Sequence, residues 1–143
     1  MSLFSAISVG ASGMAAQRAR AELLVENLAN AETTRTPDGG PYRRKDAVFE
    51  STDISSPFAS FFDTQLHGSG VAISDIVTDT SDPERRYMPG HPDADADGYV
   101  AFPHINPAED MVDLMSAARG YEANVAAISA VKDMIQKSID LLH

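Results

Sequence analysis

Two stretches at the ends of the chain carry apolar residues at the alternating three- and four-residue spacing of a helix seam. From Leu3 the steps give Leu3, Ile7, Gly10, Met14, Gln17, Ala21, Leu24, Leu28 and Ala31, a stripe softened by small residues and interrupted by one Gln. Toward the other end they give Met111, Leu114, Ala118, Tyr121, Val125, Ile128, Lys132, Ile135, Ile139 and Leu142, broken only at Lys132. The second stretch also has a start signal. Asn106 is an N-cap residue, Pro107 suits the first helical position, and the Glu109 carboxylate can reach back to the cap's amide. The spacing predicts one helix over 1–31 and another over 106–143, the second about 55 Å long at 1.5 Å per residue.

These seams admit two arrangements: a self-contained hairpin in which each covers the other, or helices that also pack on neighbouring molecules. The second apolar row of the C-terminal stretch, Val112, Met115, Val131, Met134 and Leu141, favours neighbours, because it makes the sticky face wider than one partner helix covers. The N-terminal stretch is a weak helix alone. Gly10 and Gly13 each cost about 1 kcal/mol relative to Ala, and Ser5, Ser8 and Ser12 weaken it further, so it is expected to order only when packed. The same small residues let helix backbones approach closely.

Between the helices the pattern breaks up. Residues 32–70 open with Thr33, Thr34, Thr36, Pro37, Asp38, Gly39, Gly40 and Pro41, then pass through a Ser/Phe stretch around Phe58, Phe61 and Phe62, which reads as an extended connector. Within 71–105, Val71, Ile73, Ile76 and Val77 form one short apolar run and Tyr99–Phe102 another, fitting strands of one small sheet. A turn-rich segment, Tyr87 to Pro92, separates them. The fold class expected is α+β: long terminal helices pairing as a coiled coil, an irregular connector and a small β-rich middle.

Composition narrows what such a chain does. At 143 residues it is one domain with a modest core, and no apolar run approaches the roughly 20 residues of a membrane span. Cysteine is absent, which excludes disulfides, thiolate metal sites and a cysteine nucleophile. The net charge of −10 opposes binding to nucleic acid and anionic lipid. That charge sits almost entirely in residues 51–110, where Arg85 and Arg86 are the only bases, while the helical ends are near neutral and free to pack without self-repulsion. The apolar N-terminus has no Lys or Arg before Arg18, so it lacks the positive region of a cleaved secretory signal.

Candidate chemistry is sparse. Asp93, Asp95, Asp97 and Gly98 match the first half of a calcium loop, which gives an alternative reading as a calcium-binding secreted module. The second half does not match, because the twelfth position is His104 where a bidentate Glu is needed. His67, His91, His104 and His143 follow no metal-ligand spacing, and neither a phosphate loop nor a nucleophile elbow occurs. No catalytic, cofactor or metal residue is assigned. Arg43, Arg44 and Lys45 form the one basic run, suited to solvent or to an acidic neighbour such as the middle of another copy.

Specific residues then carry a resemblance. Asn27, Leu28, Ala29, Asn30, Ala31, Glu32, Thr33 and Thr34, followed by Gly40, Pro41, Tyr42, Arg43, Arg44, Lys45 and Phe49, resemble the N-terminal signature of the axial rod and hook proteins of the bacterial flagellum. Asp79, Pro83, Arg86, Tyr87, Pro89, Gly90, His91, Pro92, Asp93, Ala94, Asp95, Gly98, Tyr99, Val100, Pro103, Asn106 and Pro107 are similar to the proximal rod members. So are Met111, Leu114, Ala117, Arg119, Tyr121, Glu122, Ala123 and Asn124, so that nearly the whole chain is covered. The resemblance implies a non-enzymatic subunit of the rod that crosses the periplasm and transmits torque. It implies terminal helices packed as an inner coiled-coil layer with the β middle further out. The partners implied are copies of itself, other rod proteins, the rod-to-ring adaptor, the rod-cap protein during growth, and the type III apparatus that exports subunits unfolded and without signal cleavage. Phe58, Phe61 and Phe62 have no counterpart in that pattern.

Overall fold

The computed structural model describes residues 3–54 and 68–141. In chain order they form α1 (Leu3–Ala29), β1 (Lys45–Ile54), β2 (Gly68–Thr78), β3 (Glu84–Tyr87), β4 (Tyr99–Phe102) and α2 (Pro107–Asp140). The class is α+β, with two long helices and two small antiparallel ribbons. Asn106 caps α2 as its sequence suggests, its side chain accepting the Ala108 amide, with Pro107 at the helix start.

The helices pack against each other, and their register follows from the small residues. Gly10 lies under Ile128, Gly13 against Asn124 and Gly120 against Gln17, while Arg20 reaches Asp113 at 3.3 Å, so the two run antiparallel. Contact is close: a Cβ on Gly10 would come within 2.8 Å of Ile128 Cγ1, and one on Gly120 within 3.1 Å of Gln17 Cδ. The inward row of α2 is Leu114, Ala117, Gly120, Asn124, Ile128, Val131 and Ile135, buried or half-buried. It shares only Leu114, Ile128 and Ile135 with the heptad stripe. Gly120 and Ala117 let the backbones come together in the seam, and Met111, Tyr121, Val125 and Ile139 of the stripe are left exposed.

Two expectations for the middle need correction. Lys45–Ile54, placed in the extended connector, is a strand that pairs with β2 along its whole length, from Lys45↔Thr78 to Ile54↔Gly68, with a register shift between Val48 and Phe49. Its alternation is hidden in the sequence because Asp46 and Glu50 face one side and Ala47, Phe49 and Ser51, none strongly apolar as a set, face the other. The runs at 71–77 and 99–102 also do not share a sheet. β2 pairs with β1, and β4 pairs with β3, with Glu84↔Phe102 and Tyr87↔Tyr99 at its ends. β3 reads Glu-Arg-Arg-Tyr and has no apolar pattern of its own. What fixes it is its partner: Tyr87 meets Tyr99 edge to face with ring centres 5.3 Å apart, and the Arg86 guanidinium lies 4.7 Å from the centre of the Phe102 ring. Gly98 closes this ribbon's turn at φ +83°, where a Cβ would stand 3.0 Å from the Tyr87 ring.

The β1–β2 ribbon lies along α1, and the Val71 amide donates to Ser12 Oγ on that helix (3.1 Å). The buried apolar side chains are Ala16, Leu24, Tyr42, Val100, Phe102 and Ala117, joined by two fully buried polar ones, Asn27 and Asp110. Leu24, Asn27, Tyr42 and Asp110 lie where the end of α1, the start of β1 and the start of α2 meet, Ala16 and Ala117 lie further along the helices, and Val100 and Phe102 lie in β4.

Candidate functional site

The joint is built around Asn27, in the last turns of α1 and 0% exposed. Its amide treats Lys45 as a strand neighbour would: Nδ2 donates to the Lys45 carbonyl (2.9 Å) and Oδ1 accepts the Lys45 amide (3.0 Å). The Tyr42 hydroxyl donates to the same Oδ1 (3.0 Å). Burial, with the Glu26 carboxylate adding to it, pushes the Tyr42 phenol up to about 12. Lys45 Nζ pairs with Glu26 at 2.6 Å. One asparagine thus satisfies both backbone groups at the head of β1 and fixes where α1 hands over to the ribbon.

Arg43 and Arg44 extend the joint. Arg43 Nη1 donates to the carbonyls of Asp79 (3.1 Å) and Ser81 (3.2 Å), tying down the chain after β2. The Arg44 carbonyl accepts the Asp79 amide, and its guanidinium lies 2.9 Å from Asp110 Oδ1 in α2 and 3.1 Å from Asp46. Asn30 closes α1: its amide and its Nδ2 both donate to the Glu26 carbonyl, and Thr33 Oγ1 donates to Asn30 Oδ1. Tyr42 then returns to Thr33 through a backbone bond. Ala29 and Ala31 flank this cap, the first exposed and the second half-buried.

The second cluster of family-motif residues forms the turn between β3 and β4. The His91 amide donates to the Met88 carbonyl, His91 Nδ1 accepts the Asp93 amide, and Thr34 Oγ1 donates to Asp93 Oδ2 (2.8 Å), fastening the turn to the segment after α1. Pro89, Gly90 and Pro92 shape the loop, and Gly98 and Tyr99 complete it. The Asp95 carboxylate is turned onto its own loop, where Oδ1 accepts the amides of Asp97 (3.0 Å) and Tyr99 (2.8 Å). Asp93 faces Thr34 and Arg35. These carboxylates diverge, and no group of three or more metal-ligating side chains converges among the described residues.

The subunit-packing candidates divide into two sets. Leu24 is buried, and Ile7, Met14, Leu28, Leu114, Ile128 and Ile135 are half-buried in or beside the hairpin seam. Leu3, Met111, Ala118, Tyr121, Val125 and Ile139 are exposed, and Leu142 lies outside the described residues, as do Phe58, Phe61 and Phe62. Val112, Met115, Met134 and Leu141 join the exposed set, Leu141 at 87%, so large apolar side chains run along the outward side of α2 from end to end. A knot fixes the geometry between helices and ribbons, and a long apolar surface is offered to something outside the chain.

Sequence reading found the residues of the joint without finding their roles. Asn27 and Tyr42 were visible only as motif letters, and the Arg44–Asp110 pair had no signal, because its partners lie far apart in the chain and Asp110 looks like an ordinary first-turn acid.

A family model described as the C-terminal part of flagellar basal body rod FlgEFG proteins matches residues 96–141. Along the full length, the flagellar basal-body rod protein FlgC of Borreliella burgdorferi is 40% identical, with 100% of this chain and 99% of the relative covered. FlgC of Bacillus subtilis is 41% identical with 99% of each covered, and that of Salmonella typhimurium 36% identical with 99% of this chain and 98% of the relative covered. The chain belongs to the FlgC family of flagellar basal-body rod proteins.

Proposed function

We propose that this chain is a structural, non-enzymatic subunit of the flagellar basal-body rod that polymerises through its terminal helices. The observation that carries the reading is the outward side of α2. With α1 already packed, Met111, Val112, Met115, Tyr121, Val125, Met134, Ile139 and Leu141 remain exposed along the helix. Neighbouring subunits cover that face in a coiled-coil layer, by heterologous contacts that do not close and so generate a helical tube. The joint holds the β ribbons at a set angle to that layer, so torque passes from helix to ribbon through buried hydrogen bonds. The tube lies in the periplasm. Its subunits contact one another, other rod proteins, the rod-to-ring adaptor and, during growth, the rod cap.

The glycine- and serine-rich α1 suits export in an unfolded state by the type III apparatus with no cleaved signal. Burial supports a gradient in order. Asn27, Leu24, Asp110 and Ala117 hold the joint end of the hairpin, while residues toward Leu3 and Leu141 are half-buried or exposed and complete their packing on neighbours.

The test uses residues that the single chain leaves exposed. Met115→Asp with Val125→Asp should leave the circular dichroism spectrum of the purified chain unchanged and abolish recovery in isolated basal bodies and swimming in a strain lacking the native gene. Wild-type swimming of the double variant overturns the assignment of that face.

A further inference from the structure

Among the described residues, Asp110 is a buried titratable group that takes no part in the hydrogen bonds of Asn27. Its side chain is fully buried, and neither carboxylate oxygen accepts a hydrogen bond from the described residues. Its counter-charge among the described residues is Arg44, 2.9 Å away, which is shared with Asp46. The groups that face it are unbalanced. From α2 come Glu109 and Asp113, from β1 comes Asp46, from the segment before β1 comes Arg44, and from α1 comes Arg20, already bound to Asp113 at 3.3 Å. The carboxylates of Asp46, Glu109 and Asp113, each partly exposed, therefore stand around a buried Asp110 whose paired guanidinium, Arg44, is shared.

We propose that Asp110 is a proton-binding site, and that protonation of its carboxyl tightens the joint between α2 and β1. A buried carboxylate without accepted hydrogen bonds is penalised as an anion, and its neutral form removes both that penalty and the repulsion from Asp46, Glu109 and Asp113. In keeping with this geometry, burial holds the Asp110 carboxyl above the ordinary carboxylate range despite the pull of Arg44. The sign follows. A group whose pKa is raised by folding adds stability as pH falls through its folded value and loses it as pH rises. Asp79 and Glu84 behave oppositely, held down by hydrogen bonds from Ser81 and from Arg86, and they loosen the fold only at lower pH. Protonation of Asp110 thus firms the joint, whereas protonation of Asp79 or Glu84 removes stabilising bonds.

Carbon-13 NMR of the full chain tests this directly. The Asp110 carboxyl resonance, assigned by its absence in Asp110→Asn, should titrate above every other aspartate. Protection of the Lys45 and Asp110 amides, corrected for intrinsic exchange, should rise as pH is lowered through the Asp110 midpoint read by NMR in the wild type and stay level in Asp110→Asn. A midpoint at or below those of the other aspartates overturns the proposal, as does a rise that survives in Asp110→Asn. A second variant guards against loss of folding. Asp46→Asn removes a facing carboxylate and should lower the Asp110 midpoint, and an unmoved or raised midpoint also overturns it.

Discussion

Replacing Asn27 by Leu tests the joint most sharply, because the larger Leu keeps the branching at Cγ but can make none of the hydrogen bonds. The change leaves the Lys45 amide, the Lys45 carbonyl and the Tyr42 hydroxyl without the partners they have at 3.0, 2.9 and 3.0 Å. Each orphaned buried group costs about 1–3 kcal/mol. Asn27 is 0% exposed and Tyr42 9%, so solvent cannot easily replace the amide. The two backbone groups together set a loss of about 4 kcal/mol, with the phenol adding up to about 1 more. Urea unfolding followed by far-UV circular dichroism measures it as a shift of midpoint at unchanged slope. Tyr42→Phe removes one bond while Oδ1 keeps the Lys45 amide, so it should cost about 1 kcal/mol. In the double variant the phenol has nothing left to lose, and the combined effect should fall short of the sum. A loss below about 1 kcal/mol for Asn27→Leu, or strict additivity with Tyr42→Phe, would refute the view that this asparagine holds helix and ribbon together.

Three further outcomes follow from the same geometry. Gly10→Val places a Cβ 2.8 Å from Ile128 Cγ1 and should destabilise by about 1–3 kcal/mol in thermal melts, with partial rescue by Ile128→Ala; an unchanged melting temperature would contradict the seam. Leu114→Asp and Ile128→Asp each put a carboxylate into the half-buried seam at a cost of several kcal/mol, and should lose both helical signal and rod incorporation without loss of expression. Wild-type swimming in either would count against the packing. Asp95→Ala removes two bonds to loop amides and should cost about 1 kcal/mol with no response to calcium; a calcium-raised melting temperature that this variant abolishes would restore the cation-binding reading.

What was legible in the sequence follows the range of the interactions involved. The helices were legible because periodicity and caps are local, as at Asn106 and Pro107, where the observed cap matches the pattern. β4 was legible because Tyr99–Phe102 is apolar enough to stand out, and it contains the buried Val100 and Phe102. β3 was not, because Glu84–Tyr87 owes its strand to a partner and not to its own residues. β1 was hidden for a related reason: an acidic ribbon that covers only one helix needs no strong apolar face. The joint was half legible. Its residues were marked by resemblance, but the bonds from Asn27 to Lys45 and from Arg44 to Asp110 are long-range pairings that no local pattern encodes.

The small residues in the middle of the inner row of α2, Ala117, Gly120 and Asn124, and the large residues exposed on its outer side bear on how stability is distributed between chain and assembly. Apolar burial is worth about 25 cal/mol per Å², so a seam of Ala117, Gly120 and Asn124 stabilises the hairpin far less than one built from Met115, Tyr121 and Val125 would. A chain that had to be stable alone would place those larger side chains inside. Here Gly10, Gly13 and Gly120 bring the helices close enough to form a slender rod of two, and the larger apolar residues face outward, where only contact between molecules can bury them. The polar joint complements this arrangement. Asn27, Tyr42 and Arg44 set the geometry in the single chain, so that a subunit with a weakly packed hairpin still presents its outer face at a defined angle. On the proposed assembly, neighbouring subunits bury apolar surface of α2 that the single chain leaves exposed, which couples that part of its packing to incorporation.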